Sequence, residues 1–287
     1  MQRLGSGTTS EAARLRFVSR LRLSLAAAIV AAFALPALVP QTAYANGACA
    51  GGNYGNPSLF DGYNVYAPSN ENLTSYTEGS EGIINLAWAP GGLCTNPPNP
   101  WPSAGGADGE SEWEMVFSQG GHGWVQAGIE WTLGNAKQFF AQENATGCYA
   151  AGCYHTALDP DPVSYGVPYT FVSKWYSGCQ CEISTVNGNY LSNSSFNPFG
   201  SWVFPFNNAW DGETYNTNSD INGTAATPTH FTDMQVQLYF GDSWTPELPA
   251  NATAQNDAPW TWNQSNLGIC TDTPGSQPTP CFNIWTR

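Results

Sequence analysis

The chain has 287 residues, with 22 acidic and only eight basic side chains, which gives a formal net charge of −14 at neutral pH. Such an excess of negative charge repels phosphate backbones and anionic lipids, so we expect neither nucleic acid nor a membrane surface as a partner. With 12 Trp, 13 Tyr, 30 Gly and 21 Pro, the composition favours short strands and turns over helices.

Residues 1–45 have the pattern of a secretory signal peptide. Five arginines precede an apolar run from about Leu23 to Val39, and Ala43 and Ala45 place small residues where a signal peptidase reads them. A membrane anchor is the alternative, but the run is short and is interrupted by Pro36. We therefore expect a secreted protein.

Removal of this segment would take away five basic residues and one acidic residue. The remaining three basic and 21 acidic side chains would carry a net charge of −18. In acid, where carboxylates become protonated, so few cations would produce little self-repulsion. The composition is compatible with an acidic medium.

All eight cysteines lie beyond residue 45, and an even number in an exported chain predicts a disulfide framework. The expected pairs are Cys148 with Cys153, Cys270 with Cys281, and Cys49 with Cys94. Cys179 and Cys181 fall on a predicted strand, where side chains about 7 Å apart bridge only if the backbone bends. A metal site is the alternative, but no CxxC or HxxxH spacing supports it, and we expect no cofactor.

Beyond the signal peptide, we expect three segments of one monomeric domain. Residues 46–110 predict an irregular N-terminal arm with the first strands, 111–240 the core, and 241–287 a Pro-, Asn- and Trp-rich tail packed on the same domain. The predicted strands are Ile83–Trp88, Glu112–Phe117, Gly121–Trp131, Gln138–Gln142, Tyr169–Tyr176, Cys181–Val186, Trp202–Phe206 and His230–Phe240. After Cys181–Val186, Asn187-Gly188 predicts the turn of a β-hairpin into Tyr190-Leu191. Short strands separated by turn signals predict an all-β, concanavalin-like sandwich of two packed antiparallel sheets.

The stretch GHGWVQAGIEW, residues 121–131, alternates most clearly. Val125, Ala127 and Ile129 point one way and predict a core face, whereas Gln126 and Glu130 point the other way. An amide and a carboxylate among aromatic and small residues are unusual for a solvated face. We therefore predict that Gln126 lies on the floor of a groove and that Glu130 lies at its edge.

Two other kinds of catalytic site find less support. No GxSxG motif occurs, and His122, His155 and His230 are expected to be hydrogen-bonding residues, with His122 the nearest in sequence to Gln126. Glu110, Glu112 and Glu114 alternate on a predicted strand. Their spacing would suit an inverting glycosidase, but no laminarinase-like ExDxxE pattern occurs, and we interpret them as a solvated acidic edge.

Four separated motifs together resemble one family. WVQAGIEW, TGCYAAGC at 146–153, WDGETYNT at 210–217 and HFTDMQVQ at 230–237 follow one another in the order found in the neprosin-type glutamic peptidases. The resemblance covers residues 111–237 in patches. It departs at Gln126, where neprosin has its first catalytic glutamate, and there the chain is similar to the eqolisins, which use a Gln and a Glu on a β-sandwich.

The resemblance implies a secreted glutamic endopeptidase with Gln126 and Glu213 as a catalytic pair. Glu213 would act as general acid and base, and the amide of Gln126 would donate to the oxyanion of the tetrahedral intermediate. Trp124, Trp210 and Tyr215 would flank the pair and bind a peptide or protein substrate. The alternative is a non-catalytic carbohydrate-binding or cell-surface protein, because abundant Trp and Tyr can stack on sugar rings.

Overall fold

The computed structural model describes part of the chain. The described ranges are 59–65, 77–87, 108–119, 123–132, 137–146, 154–159, 161–202, 206–214, 221–238, 244–246, 252–256, 262–263, 268–270 and 279–286. At the ends of several strands only the backbone is described. Residues 1–45, and with them the predicted signal peptide, lie outside these ranges.

Within these ranges the chain is almost entirely β-structure. The strands are β1 (Leu59–Val65), β2 (Thr77–Asn85), β3 (Asp108–Phe117), β4 (Trp124–Thr132), β5 (Gln138–Asn144), β6 (Tyr154–Asp159), β7 (Pro168–Tyr176), β8 (Cys181–Val186), β9 (Asn189–Asn193), β10 (Asn207–Thr214), β11 (Gly223–Thr224), β12 (Thr227–Leu238), β13 (Trp244–Pro246), β14 (Ala252–Asn256), β15 (Trp262–Asn263), β16 (Gly268–Cys270) and β17 (Thr279–Thr286). One short helix, α1 (Pro198–Ser201), lies between β9 and β10. No described helix has the length and apolar character needed to cross a bilayer.

The strands form two antiparallel sheets. The first has seven strands in the order β14-β1-β10-β3-β4-β5-β6. The second has the path β15-β17-β12-β2-β7-β8-β9, with β11 and β13 paired to β12 and β16 paired to β17. The prediction of an all-β sandwich is confirmed.

Apolar side chains from both sheets meet in one core. Ala127, Ile129 and Trp210 of the first sheet pack with Phe171 and Phe231 of the second. The alternation that predicted a core face for β4 is confirmed, because Val125, Ala127 and Ile129 are buried on the side that faces the second sheet. We call this side of the first sheet the interior face and the opposite side the outer face.

Segments at both ends of the predicted core contribute strands. β2, from the predicted N-terminal arm, lies in the centre of the second sheet between β12 and β7. β17, from the predicted tail, pairs with β12 from Thr229↔Ile284 to Phe231↔Phe282. The expected domain boundaries stay a prediction, but both sheets take strands from beyond 111–240.

Two local predictions had opposite outcomes. The turn between β8 and β9 has Asn187 at φ 49° and Gly188 at φ 77°, as a two-residue Asn-Gly hairpin requires. The strand predicted at 202–206 is wrong at its start, because Trp202 instead caps α1, with its backbone N–H donating to the carbonyl of Pro198 over 2.8 Å.

Candidate functional site

The outer face carries a set of polar side chains on four consecutive strands of the first sheet. The alternation of β3, β4, β5 and β10 places on it Ser111, Trp113, Gln126, Glu130, Gln142 and Glu213. Glu130 is 1% exposed, Gln126 5% and Glu213 7%. Because these groups are shielded from bulk water, each needs hydrogen-bond partners within the protein.

Gln126 belongs to an amide network on β4, β5 and β6. Gln142 lies directly opposite it on β5, and the Oε1 of Gln142 accepts from Gln126 Nε2 over 3.3 Å and from Trp124 Nε1 over 3.4 Å. The Nε2 of Gln142 donates to Thr156 Oγ1 over 3.0 Å. An amide NH2 has two hydrogens, so Gln126 can bind Gln142 with one and a ligand with the other.

Glu213 is held by a tryptophan of the neighbouring strand. The indole Nε1 of Trp113 donates to Glu213 Oε2 over 3.1 Å, and both side chains are buried. Gly128 lies opposite Trp113 on β4, and a Cβ there would clash with the Glu112 carbonyl oxygen and come within 2.7 Å of the Trp113 Cα. The glycine therefore permits the close approach of β4 to the backbone that carries Trp113.

The register defines how the two predicted catalytic residues are related. Gln126 is in line with Met115 of β3 and Ala209 of β10, whereas Glu213 is in line with Ser111 of β3 and Glu130 of β4. They lie on the same face but two strands and four residues apart, which corresponds to roughly 16 Å between Cα atoms on a flat sheet.

Trp113 occupies the position between them. Glu213 pairs with Ser111 and Gln126 pairs with Met115, and Trp113 lies two residues from each of these on β3. It is thus a diagonal neighbour of both, at a spacing where long side chains interact. The structure places the predicted pair on opposite sides of this indole, and their action as a dyad stays a prediction.

Glu130 has a different neighbourhood from the one expected for a groove edge. It is almost fully buried and accepts from Gln138 Nε2 over 2.8 Å. It shares a row with Glu213, with Ser111 between them, so two strand spacings place their Cα atoms roughly 10 Å apart. The outer face therefore holds two carboxylates in one row.

The three predicted substrate-binding aromatic residues have three different outcomes. Trp124 lies on the outer face and is partly exposed. Tyr215 lies outside the described residues. The prediction for Trp210 is wrong: its side chain is 1% exposed in the core, above Gly82, and its Nε1 donates to the Glu81 carbonyl over 2.9 Å. Trp210 and Glu213 are three positions apart on β10, so their side chains point to opposite faces of the sheet.

The predicted acidic edge on β3 is also wrong. Glu112 and Glu114 are 0% exposed because they lie on the interior face, opposite Ile129 and Ala127. The Glu112 Oε1 accepts from Asn222 Nδ2 over 2.7 Å, and its Oε2 lies 3.5 Å from Lys137 Nζ. For Glu110 only the backbone is described.

The cysteines give one correction. Cys179 and Cys181 form a disulfide, with Cα atoms 5.2 Å apart. Cys179 precedes β8 in a turn where Gln180 has φ 55°. This turn supplies the backbone bend that a regular strand through both cysteines would lack. Cys281 is also disulfide-bonded, to a cysteine whose side chain is not described. Side chains of the other five predicted cysteines, Cys49, Cys94, Cys148, Cys153 and Cys270, lie outside the described part.

The histidines and the cysteine-rich regions offer no further site among described residues. His155 is exposed, and the Nδ1 of His230 forms a hydrogen bond with Asn283 Oδ1. His122 lies outside the described residues. In the described part of the chain, no group of three His, Cys, Asp or Glu side chains is arranged to hold a metal ion.

Sequence reasoning missed two residues of the site. Trp113 and Gln142 hold Glu213 and Gln126, respectively, and neither stood out from the sequence. A signal was present in both cases, because each alternates with core residues on a strand predicted to lie beside β4. Choosing them would have required the register of the sheet, which the sequence did not define.

Comparison with solved structures finds the Scytalido-glutamic peptidase. Its crystal structure with a peptide based transition state analog has 12% identity and a TM-score of 0.46, and the alignment covers 80% of this chain and 98% of that one. A second structure of that peptidase, with a transition state analog inhibitor, has 10% identity, a TM-score of 0.44 and the same coverage. SCLam, a non-specific endo-beta-1,3(4)-glucanase from family GH16, has 9% identity, a TM-score of 0.32 and 48% coverage of both chains. At these values the likeness assigns no role to any residue of this chain. No family model and no curated protein matches the sequence.

Proposed function

We propose that the protein is an exported peptidase of the glutamic type, in which Glu213 is the general acid and base and Gln126 the oxyanion donor. One observation carries this proposal. A buried carboxylate and a buried amide lie on the same face of one sheet, each oriented by a partner, on either side of Trp113. The scissile peptide would lie over this indole, between the two groups.

The reaction needs no group beyond these. Glu213 takes a proton from a water molecule, and the oxygen of that water forms a bond to the carbonyl carbon of the substrate. The negative charge that develops on the carbonyl oxygen is stabilised by the Gln126 N–H that does not bind Gln142. Glu213 then gives its proton to the amide nitrogen as the C–N bond breaks, which yields an amine and a carboxylic acid.

The two proposed roles cannot be exchanged. A glutamine amide neither takes up nor releases protons near neutral pH, so every proton transfer is assigned to Glu213. Trp113 and Gln142 orient the two groups, and Trp124 is a candidate wall of the substrate site. A substrate that contains proline, as the neprosin resemblance implies, is one peptide class to include in a test.

The test is cleavage of a denatured protein by the purified protein at pH 3–5 and at pH 7. We expect the parent to cut and Glu213→Gln to lose at least about 1000-fold in rate, since removing a general base and acid costs on this scale. Asp161→Asn, a change at an exposed acidic residue, is the control and should cut like the parent. Undiminished cleavage by Glu213→Gln would contradict the assignment.

A second candidate function is binding or hydrolysis of a glycan. The observation that favours it is that Glu130 and Glu213 share one row of the outer face, two strand spacings apart, because glycosidases use a pair of carboxyl groups on either side of the scissile bond. Retention of the protein on a polysaccharide, together with the absence of peptide cleavage at any pH, would favour this candidate over the peptidase.

A further inference from the structure

A group of acidic side chains lies inside the sandwich, away from the outer face. We call Glu78 of β2, Glu114 of β3 and Glu182 of β8 the acid cluster. Glu114 and Glu182 are 0% exposed and Glu78 is 3% exposed. The candidate active site uses none of them, so their presence in the interior needs a separate explanation.

Serine hydroxyls connect part of the cluster. Ser173 Oγ of β7 donates to Glu114 Oε1 over 2.8 Å, and Ser173 Oγ lies 3.1 Å from Ser184 Oγ of β8. Within the described part of the chain, the other oxygen of Glu114 and both side-chain oxygens of Glu182 have no hydrogen-bond partner. An ionised carboxylate in that setting would be poorly solvated.

The charged groups around the cluster do not compensate such a charge. The buried cation Lys137 pairs with Glu112. Lys174 alternates with Ser173 on β7 and so points to the opposite face of that strand. The other described acidic side chains on β3 and on the strands packed against β3 and β8 are Glu81, Glu112, Glu130, Asp211 and Glu213. Tyr169 and Tyr176 of β7 and Tyr190 of β9 are titratable as well, and Glu143 and His155 lie near β9.

The physical consequence is that these carboxyl groups hold their protons. Burial raises the pKa of Glu114 to about 8, although the hydrogen bond from Ser173 acts in the opposite direction. Burial, followed by repulsion from Glu78 and Glu114, raises the pKa of Glu182 well above its ordinary value. Below about pH 8 Glu114 is mainly neutral, the pKa of Glu182 is shifted in the same direction, and neutral carboxyl groups can be accommodated in the interior.

The cluster lies beside an edge of the sandwich where water can enter. A cavity of about 90 Å³ is lined by Glu143, His155, Ser184, Ser192 and Ser194, among others. Ser184 therefore belongs both to this cavity and to the serine pair that reaches Glu114. The volume suits a few water molecules, and the hydroxyls of Ser184, Ser192 and Ser194 offer them hydrogen-bond partners in a lining that also includes Val125, Ala141 and Ala157.

Glu182 also lies at the joint that keeps this edge closed. Its backbone N–H donates to Ser194 Oγ over 2.9 Å, and its carbonyl accepts from the Ser194 N–H over 2.8 Å. The next residue, Ser195, donates its backbone N–H to Glu143 Oε2 of the first sheet. Movement of Glu182 toward water would therefore pull on the link between β9 and β5.

We propose that Glu114 and Glu182 form a pH switch in the interior: neutral, they keep the β8–β9 edge packed on the first sheet, and ionised, in alkaline medium, they draw water in through the cavity and open that edge. The device is independent of the proposed peptidase activity. It restricts the closed fold to acidic and neutral media.

The sign of the effect follows from proton binding. A carboxyl group whose pKa is higher in the folded state binds more protons folded than unfolded between its two pKa values. Its contribution to stability is complete below the unfolded value of about 4.5 and is lost as the pH rises through the folded value. For each of the two groups, the opening equilibrium constant should rise about tenfold per pH unit within that window.

The test is amide hydrogen exchange of the parent protein at pH 5 and pH 8, with rates corrected for the intrinsic pH dependence of exchange. We expect protection of residues 181–194 to fall by at least about tenfold at pH 8, while that of residues 124–130 changes less. Glu182→Gln and Glu114→Gln should each lose less protection at pH 8 than the parent, because a glutamine mimics the neutral acid at one position while the other carboxyl group still ionises. Asp161→Asn, at an exposed acid, should behave as the parent does.

Two results would overturn the proposal. One is a parent whose 181–194 protection is equal at pH 5 and pH 8, and the other is a loss of protection in both Gln variants as large as in the parent. If neither variant folds, proton release by the parent on unfolding at pH 6.5 decides the question. Net release is expected, and no release or net uptake would exclude the switch.

Discussion

The outer face and the acid cluster both bury glutamates, but they surround them differently. On the outer face, Glu213 accepts from an indole N–H and Glu130 from an amide N–H. In the cluster, Glu114 accepts from the Ser173 hydroxyl, and both side-chain oxygens of Glu182 face other acids without a described donor. Burial alone therefore does not determine what a carboxyl group can do, because the number of N–H donors and cations around it decides whether it can bear charge.

Glu112 offers the most direct test of whether a neighbouring cation is what allows a buried carboxyl group to bear charge. It is as buried as Glu114, two residues further along β3, yet it contacts Lys137 and Asn222. We expect Lys137→Met to lower the free energy of unfolding by about 3–5 kcal/mol at pH 7, because it leaves a buried carboxylate without its cation. In the double variant Lys137→Met/Glu112→Gln the loss should shrink, because no buried carboxylate is left without a cation. Denaturant unfolding of both variants at pH 7 measures this, and an equal loss in the two would contradict the explanation.

Gln126 on the outer face is neutral, so it raises no charge-burial problem, and we expect it to contribute to the rate of peptide cleavage and little to the stability of the fold. We expect Gln126→Ala to lower kcat of peptide cleavage by about 100-fold, as for the loss of one oxyanion donor. Because that interaction strengthens only in the transition state, KM should change much less. Steady-state kinetics separates the two, and a rise in KM at unchanged kcat would assign Gln126 to ground-state binding instead.

A smaller effect is expected where the residue acts through its neighbour. Gln142→Leu removes the acceptor that orients the Gln126 amide, and we expect a loss of about tenfold in kcat, since one neutral hydrogen bond contributes about 1 kcal/mol. Gln142→Glu, which keeps an acceptor at the same position, is the matched control and should recover part of the rate. Equal losses in the two variants would show that packing, rather than orientation, is the role of Gln142.

The smallest effect is expected for Trp210, which the sequence placed on the wrong face. Trp210→Phe keeps an aromatic ring in the core but removes the hydrogen bond to the Glu81 carbonyl. We expect a loss of about 1 kcal/mol in unfolding free energy and no change in peptide cleavage. Thermal unfolding and the cleavage assay check both parts, and a loss of activity without a loss of stability would return Trp210 to the substrate site.

Period-two patterns carried the prediction of the fold well. In β4, the apolar residues Val125, Ala127 and Ile129 alternate with polar or small ones, so the two faces could be assigned before the structure was known. The Asn187-Gly188 turn between β8 and β9 was equally readable, because its backbone geometry demands those residues.

Patterns failed where polar residues face the core. Glu112 and Glu114 follow the same alternation as an exposed edge would, and only Lys137, Asn222 and Ser173, from distant parts of the chain, make their burial tolerable. The prediction for Trp210 was wrong for a related reason, since an aromatic residue beside a polar motif can pack in a core as well as line a groove. The distance between Gln126 and Glu213 depends on register across three strands, and local sequence does not contain it.

The bridge between Cys179 and Cys181 has a consequence for the interior. It closes so small a ring that it removes little freedom from the unfolded chain, so its main effect is on the native turn. That turn ends at Cys181, and the next residue is Glu182. The disulfide therefore fixes the backbone at the start of β8. A reductant that opened it would first loosen the backbone next to Glu182, a carboxyl group that is buried without a described hydrogen-bond donor.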